Sequence, residues 1–105
     1  MLGVVAMAVT ALSARAGDAK ALYGQNCTRC HGADGKGETR IGKKLGVKDY
    51  TDPKVQAALT DKEITETIKN GKPGTAMPAF GDKLSDDQIS SLVKYIRSLD
   101  SSKKK

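Results

Sequence analysis

The sequence predicts an all-α protein, and three observations carry that prediction. Two capping boxes, Thr60-Asp61-Lys62-Glu63 and Ser85-Asp86-Asp87-Gln88, each read as the start of a helix. The second opens a run in which Ile89, Leu92, Val93, Ile96 and Leu99 fall on one apolar stripe at helical spacing. Nowhere do apolar and polar residues alternate long enough to make a convincing strand.

Taken in order, residues 1–16 differ from the rest. Leu2 to Leu12 is uncharged, and Ala14-Arg15-Ala16 is a small-x-small pattern followed by Gly17-Asp18. This reads as a cleaved export signal, because the run is shorter than the ~18–20 residues a membrane-spanning helix needs. No Lys or Arg precedes the run, which departs from the usual signal; an uncleaved tether or a buried N-terminal helix is the alternative. Asp18 can cap a first helix reaching about Cys27, with Ala19, Leu22, Tyr23, Asn26 and Cys27 on one side. Residues 32–50, rich in Gly and Lys, read as a long wrapping loop with room for one turn of helix. Asp52-Pro53 opens a short helix, with Asp as cap and Pro where its missing N–H is not needed. Gly71 stops the helix that Thr60 starts. Between Gly71 and Gly81, Pro73, Pro78 and three glycines exclude helix. Residues 101–105 read as a disordered basic tail. The expectation is one domain over 17–100, with about four short helices.

Without residues 1–16 the chain has 89 residues. That is few for an adequate core, and a disulfide, metal or cofactor is usually needed at such sizes. The large side chains are Tyr23, Tyr50, Phe80 and Tyr95, with no Trp. Something else must fill the centre.

The net charge is +6, but three of the lysines are the terminal Lys103-Lys104-Lys105 and Arg15 belongs to the export segment. The body is therefore close to neutral, at +2. It lacks the concentrated basic face of a nucleic-acid binder, so no nucleic-acid partner is expected.

The chemistry is concentrated in Cys27-Thr28-Arg29-Cys30-His31, the attachment sequence of a c-type haem. Two thiols three residues apart at a helix end can each add to one vinyl group of a haem edge, forming two thioethers. The next residue then lies beside the iron, where its imidazole can become the proximal ligand. A thioredoxin-like pair would need a βαβ context, and no strand precedes Cys27. A structural zinc site needs four ligands, and two cysteines with one histidine fall short. A disulfide across two residues would close almost no loop. Haem c, one group held by Cys27 and Cys30, is the reading that also fills the centre.

His31 is the only histidine, so two histidines of one chain cannot both bind the iron. Of Met1, Met7 and Met77, the first two belong to the export segment. Met77, between Ala76 and Pro78 in a Gly/Pro loop, has no helical stripe to belong to and is the candidate second ligand. A thioether favours ferrous iron and raises the potential.

On these residues the chain closely resembles the class I cytochromes c, particularly the short bacterial and algal ones of the periplasm or thylakoid lumen. The resemblance spans nearly all of residues 17–100. It rests on Tyr23 four residues before Cys27, on Cys27-Thr28-Arg29-Cys30-His31-Gly32, and on Asp34-Gly35-Lys36-Gly37. Met77-Pro78-Ala79-Phe80 and Tyr95 complete it. It implies that the first and last helices cross near Ala19 and Tyr95, with haem gripped between helices and the Met77 loop. It implies haem attachment at Cys27 and Cys30, and iron ligation by His31 and Met77. Many members have a Gly-Pro step whose region holds the proximal imidazole. Here Gly42 is followed by Lys43, so that step does not name the acceptor expected for the His31 N–H.

The function expected is that of a diffusible single-electron carrier, not an enzyme, residing in the periplasm or thylakoid lumen. Its partners would be redox proteins, with no small-molecule substrate, and it would be a monomer. Two other readings are a haem enzyme or gas sensor, if Met77 does not hold the iron, and a fixed electron-entry subunit of one complex. Lys43, Lys44, Lys48 and Lys72 could steer docking at a haem edge, but read as well as ordinary solvated lysines.

Overall fold

The computed structural model describes residues 16–103, and the regular structure among them is entirely helical. The helices are α1 (Ala16–Asn26), α2 (Thr28–His31), α3 (Arg40–Leu45), α4 (Pro53–Ala58), α5 (Asp61–Asn70) and α6 (Asp86–Ser98). A single 3₁₀ turn, Ser101–Lys103, follows. The export segment read in residues 1–16 lies outside the described residues, except that Ala16 opens α1.

Both predicted capping boxes form. Thr60 Oγ1 accepts from the Glu63 N–H while Glu63 returns a carboxylate oxygen to the Thr60 N–H, and Ser85 and Gln88 do the same for α6. Asp52 caps α4, with Pro53 in its first turn. Asp18, expected as a cap, instead sits inside the first turn of α1, where its charge suits the helix dipole.

Helix α3 occupies most of one stretch of the expected wrapping loop. Its signals are caps, not periodicity: the Thr39 hydroxyl accepts from the Gly42 N–H, and Gly46 closes it in the left-handed region at φ +68°. The tail expected to be disordered from residue 101 begins with the 3₁₀ turn, whose Ser101 N–H donates to the Thr51 carbonyl at 2.8 Å. Asp100 accepts from both the N–H and the hydroxyl of Ser102.

The core is the apolar stripe of α6 (Ile89, Leu92, Val93, Ile96, Leu99) against Tyr23 of α1 and Ile64 and Ile68 of α5. Ala19 is fully buried, and the Tyr23 and Tyr95 rings meet at 5.0 Å, tilted by 49°. The loop after α5 is tied to it directly. The N–H groups of Phe80 and Gly81 donate to the Ile68 and Lys69 carbonyls at 2.8 and 2.9 Å. These are carbonyls that a helix C-terminus would otherwise leave unpaired.

Helix α3 also presses on the motif helix α2. A Cβ at Gly42 would fall on the Cys30 carbonyl oxygen and lie 2.6 Å from the Gly37 oxygen, both backbone atoms that cannot rotate away. Gly24 of α1 has nothing within 4 Å of such a Cβ. Gly42→Ala should therefore lower stability by about 1–3 kcal/mol. Gly24→Ala should raise it by about 0.5–1 kcal/mol through reduced backbone entropy. Thermal melts of the haem-loaded variants check both; equal melting temperatures for the two would contradict the close approach.

Candidate functional site

The attachment motif sits at a break between two helices. The Cys27 N–H still donates to the Tyr23 carbonyl of α1 at 2.8 Å, and His31 N–H donates to the Cys27 carbonyl at 3.0 Å. Gly32 ends α2 with φ +81°. Two side chains then lock the motif. The buried Tyr23 hydroxyl donates to the Gly32 carbonyl at 2.8 Å, and the Thr39 hydroxyl donates to the Cys30 carbonyl at 2.8 Å. Burial holds the Tyr23 phenol far above its usual range, so it remains a donor.

Met77 lies on a loop that closes on itself. The Lys72 N–H donates to the Met77 carbonyl at 3.2 Å, and the Thr75 hydroxyl both donates to the Lys72 carbonyl and accepts from the Met77 N–H. With Phe80 and Gly81 fastened to α5, both ends of the loop are fixed.

The four residues singled out from the sequence, Cys27, Cys30, His31 and Met77, line one cavity of about 490 Å³. That lies within the size range of cofactor sites. The walls are largely apolar, including Tyr23, Leu59, Ile64, Ile68, Phe80 and Ile96. The cavity is thus lined by the core itself. Lys48 and Lys72 stand on its lining, whereas Lys43 and Lys44 on α3 do not.

Burial, reinforced by the neighbouring Cys30 thiol, pushes the Cys27 thiol up to about 11. Burial also lowers the His31 imidazole below its usual value, which keeps it neutral at pH 7, the form that binds a metal. The thiols are not bonded to each other. Two thiols, a neutral imidazole and a thioether around one apolar cavity are a donor set that fits haem.

Sequence reasoning missed three residues here. Tyr50 stacks on His31, with ring centroids 5.3 Å apart and an interplanar angle of 28°. Gln56 and Arg97 tie the segment carrying Tyr50 to α6. Tyr50 had one available signal, as one of only three tyrosines in the chain and standing in a Gly/Lys-rich stretch. Among the described residues the acceptor expected for the His31 N–H is absent: His31 Nδ1 is buried with no hydrogen-bond partner there.

Fold and site together define a small c-type cytochrome domain with one covalently bound haem c. Residues 14–96 match the family described as "Cytochrome C oxidase, cbb3-type, subunit III", and the chain belongs to that family. It is 31% identical over 104 residues to the "Cbb3-type cytochrome c oxidase subunit CcoP" of Azospirillum brasilense, covering 93% of this chain but 35% of that protein. It spans a quarter of the FixP subunit of Azorhizobium caulinodans, at 37% identity. Coverage is more even with cytochrome c6 of Gloeothece citriformis: 34% identity over 82% of this chain and 73% of that one. The solved "KustC0563 c-type cytochrome" superposes with a TM-score of 0.72 at 35% identity, covering 78% of this chain and 96% of that one.

Without haem, the apolar walls of this space of about 490 Å³ have nothing to pack against, in a domain too small to have much stability in reserve. The double variant Cys27→Ala/Cys30→Ala, which cannot hold haem covalently, should therefore be largely unfolded. Circular dichroism showing native helix content and a cooperative melt in the haem-free variant would refute this.

Proposed function

We propose that the chain is a class I monohaem cytochrome c that moves single electrons between redox proteins, with the iron held by His31 and Met77. One observation carries the reading: the only imidazole of the chain and Met77 line the same core cavity as the two motif cysteines. When bound, the haem supplies a one-electron ferric/ferrous couple.

The chain's own residues do the rest. Cys27 and Cys30 anchor the group by thioethers, so it is retained in a small domain. His31 offers a neutral nitrogen. Met77 offers a soft, uncharged sulfur, which favours the ferrous state and leaves no position for a substrate. Tyr23, Leu59, Ile64, Ile68 and Phe80 keep water from the site, and the low dielectric disfavours the extra charge of the ferric state. The tied loops limit how far either ligand moves when the charge changes. Lys48 and Lys72 at the cavity supply a local positive potential for docking an acidic redox partner.

Residues 1–16 are proposed as an export signal, placing a monomeric domain of residues 17–100 in the periplasm or an equivalent compartment. No helix among the described residues is long and apolar enough to cross a membrane. A second reading draws on the family match and on the CcoP and FixP relatives: a domain that feeds electrons into one oxidase complex. Co-purification with a single oxidase would favour it over a freely diffusing carrier.

The haem-loaded protein tests the ligand assignment. Met77→Ala should lower the reduction potential and let carbon monoxide bind the ferrous protein rapidly, while the wild type resists it. A wild type that already binds carbon monoxide as fast as the variant would make the carrier reading fail in favour of a gas sensor or enzyme. The mass of the same preparation should place the N-terminus at Gly17; a mass retaining residues 1–16 would replace the export signal with a tether.

A further inference from the structure

The proximal side of the site contains a buried polar network that none of the electron-carrier chemistry above uses. Gln56 of α4 is 4% exposed. Its Nε2 donates to the Tyr50 carbonyl at 2.7 Å and to the Ile96 carbonyl of α6 at 2.9 Å. Its Oε1 accepts from Arg97 Nη1 at 2.9 Å, and Nη1 also reaches the Gln56 carbonyl at 2.7 Å. The amide can face only one way, because two carbonyls need its donors and a guanidinium needs its oxygen. Arg97 is held in turn by the Leu59 carbonyl at 2.6 Å and the Asp61 carboxylate at 2.7 Å.

Tyr50 is therefore fixed at both backbone groups. Its N–H donates to the Gly35 carbonyl at 2.8 Å, and its carbonyl takes the Gln56 amide. The ring so placed stacks on His31. Among the described residues, His31 Nδ1 has no hydrogen-bond partner. A ligating imidazole is ordinarily oriented by a hydrogen bond from its second nitrogen. Here the contact that limits rotation of the ring is the stack.

We propose that Gln56 is a positioning residue for the proximal ligand: through the Tyr50 carbonyl it holds the Tyr50 ring against His31 and so sets the plane of the imidazole. The inference rests on His31 being an iron ligand. Arg97 acts one step further back: it clamps α6 to the carbonyls of α4 and Leu59 and holds the Gln56 Oε1, so it reaches Tyr50 only through Gln56.

The test is proton NMR of the ferric, haem-loaded protein, in which the ring protons of an iron-bound imidazole are shifted by the unpaired electron according to its orientation. Gln56→Met, similar in length but without donors, should move the His31 ring resonances. Tyr50→Leu should move them in the same direction. Arg97→Met, which leaves both Gln56 donors on their carbonyls, should lower the melting temperature comparably and move them much less than Gln56→Met does. Gln56→Met resonances at wild-type positions, or an equal displacement in Arg97→Met, would overturn the proposal. If Gln56→Met does not fold, Tyr50→Leu decides: unmoved resonances refute the stacking restraint, and moved ones sustain it. A wild type without shifted His31 ring protons would instead refute the ligand assignment, whatever the variants do.

Discussion

The fold is organised around a space that its own side chains do not fill. Tyr23, Ile64, Ile68, Phe80 and Ile96 belong to the hydrophobic core and at the same time form the wall of the cavity. In a larger domain such residues would meet each other across the centre. Here they meet around a volume of about 490 Å³, with two thiols, an imidazole and a thioether at its edges. Covalent attachment is the physical answer to that arrangement. A cofactor that is also the core must not dissociate, and thioether bonds at Cys27 and Cys30 remove the possibility.

The rest of the structure can be read as ways of presenting His31 and Met77, the two proposed ligands, to one cavity with short, weakly helical segments. Helix α2 is a single turn and has little stability alone. It is held by contacts from elsewhere: the Tyr23 phenol on Gly32, the Thr39 hydroxyl on Cys30, and the bare Gly42 backbone against the same carbonyl. The Met77 loop has no regular structure at all, and its position comes from backbone bonds to the last carbonyls of α5. Each bond contributes only ~1 kcal/mol net. Their value lies in geometry: side chains carried on backbone fixed in this way shift little.

How much of this was legible in the sequence depended on the kind of signal. Helices α5 and α6 announced themselves through paired capping residues and an apolar stripe, which are local. That Cys27, Cys30, His31 and Met77 belong to one site was legible because residue type and counting single them out, without any knowledge of packing. Helix α3 was hidden, since a Gly/Lys-rich run of six residues carries no period and only its caps, Thr39 and Gly46, mark it. The partnership of Tyr50, Gln56 and Arg97 was illegible for a different reason. Gln56 and Arg97 stand 41 positions apart, and nothing in either neighbourhood says that a buried amide will face a guanidinium. Even the comparison with Gly-Pro-containing relatives, which flagged the missing acceptor at Lys43, could not say that an aromatic face would stand beside the imidazole instead.

For an electron carrier the decisive property is that both oxidation states share one coordination. On the ligation proposed above, an imidazole and a thioether fixed to the same cavity by independent sets of bonds would provide it. Iron K-edge X-ray absorption of the haem-loaded protein, recorded in both oxidation states, measures it directly. The account predicts one sulfur scatterer beside five nitrogens in each state, with bond lengths nearly unchanged on reduction. Loss of the sulfur contribution in either state, or a five-coordinate ferrous iron, would contradict it.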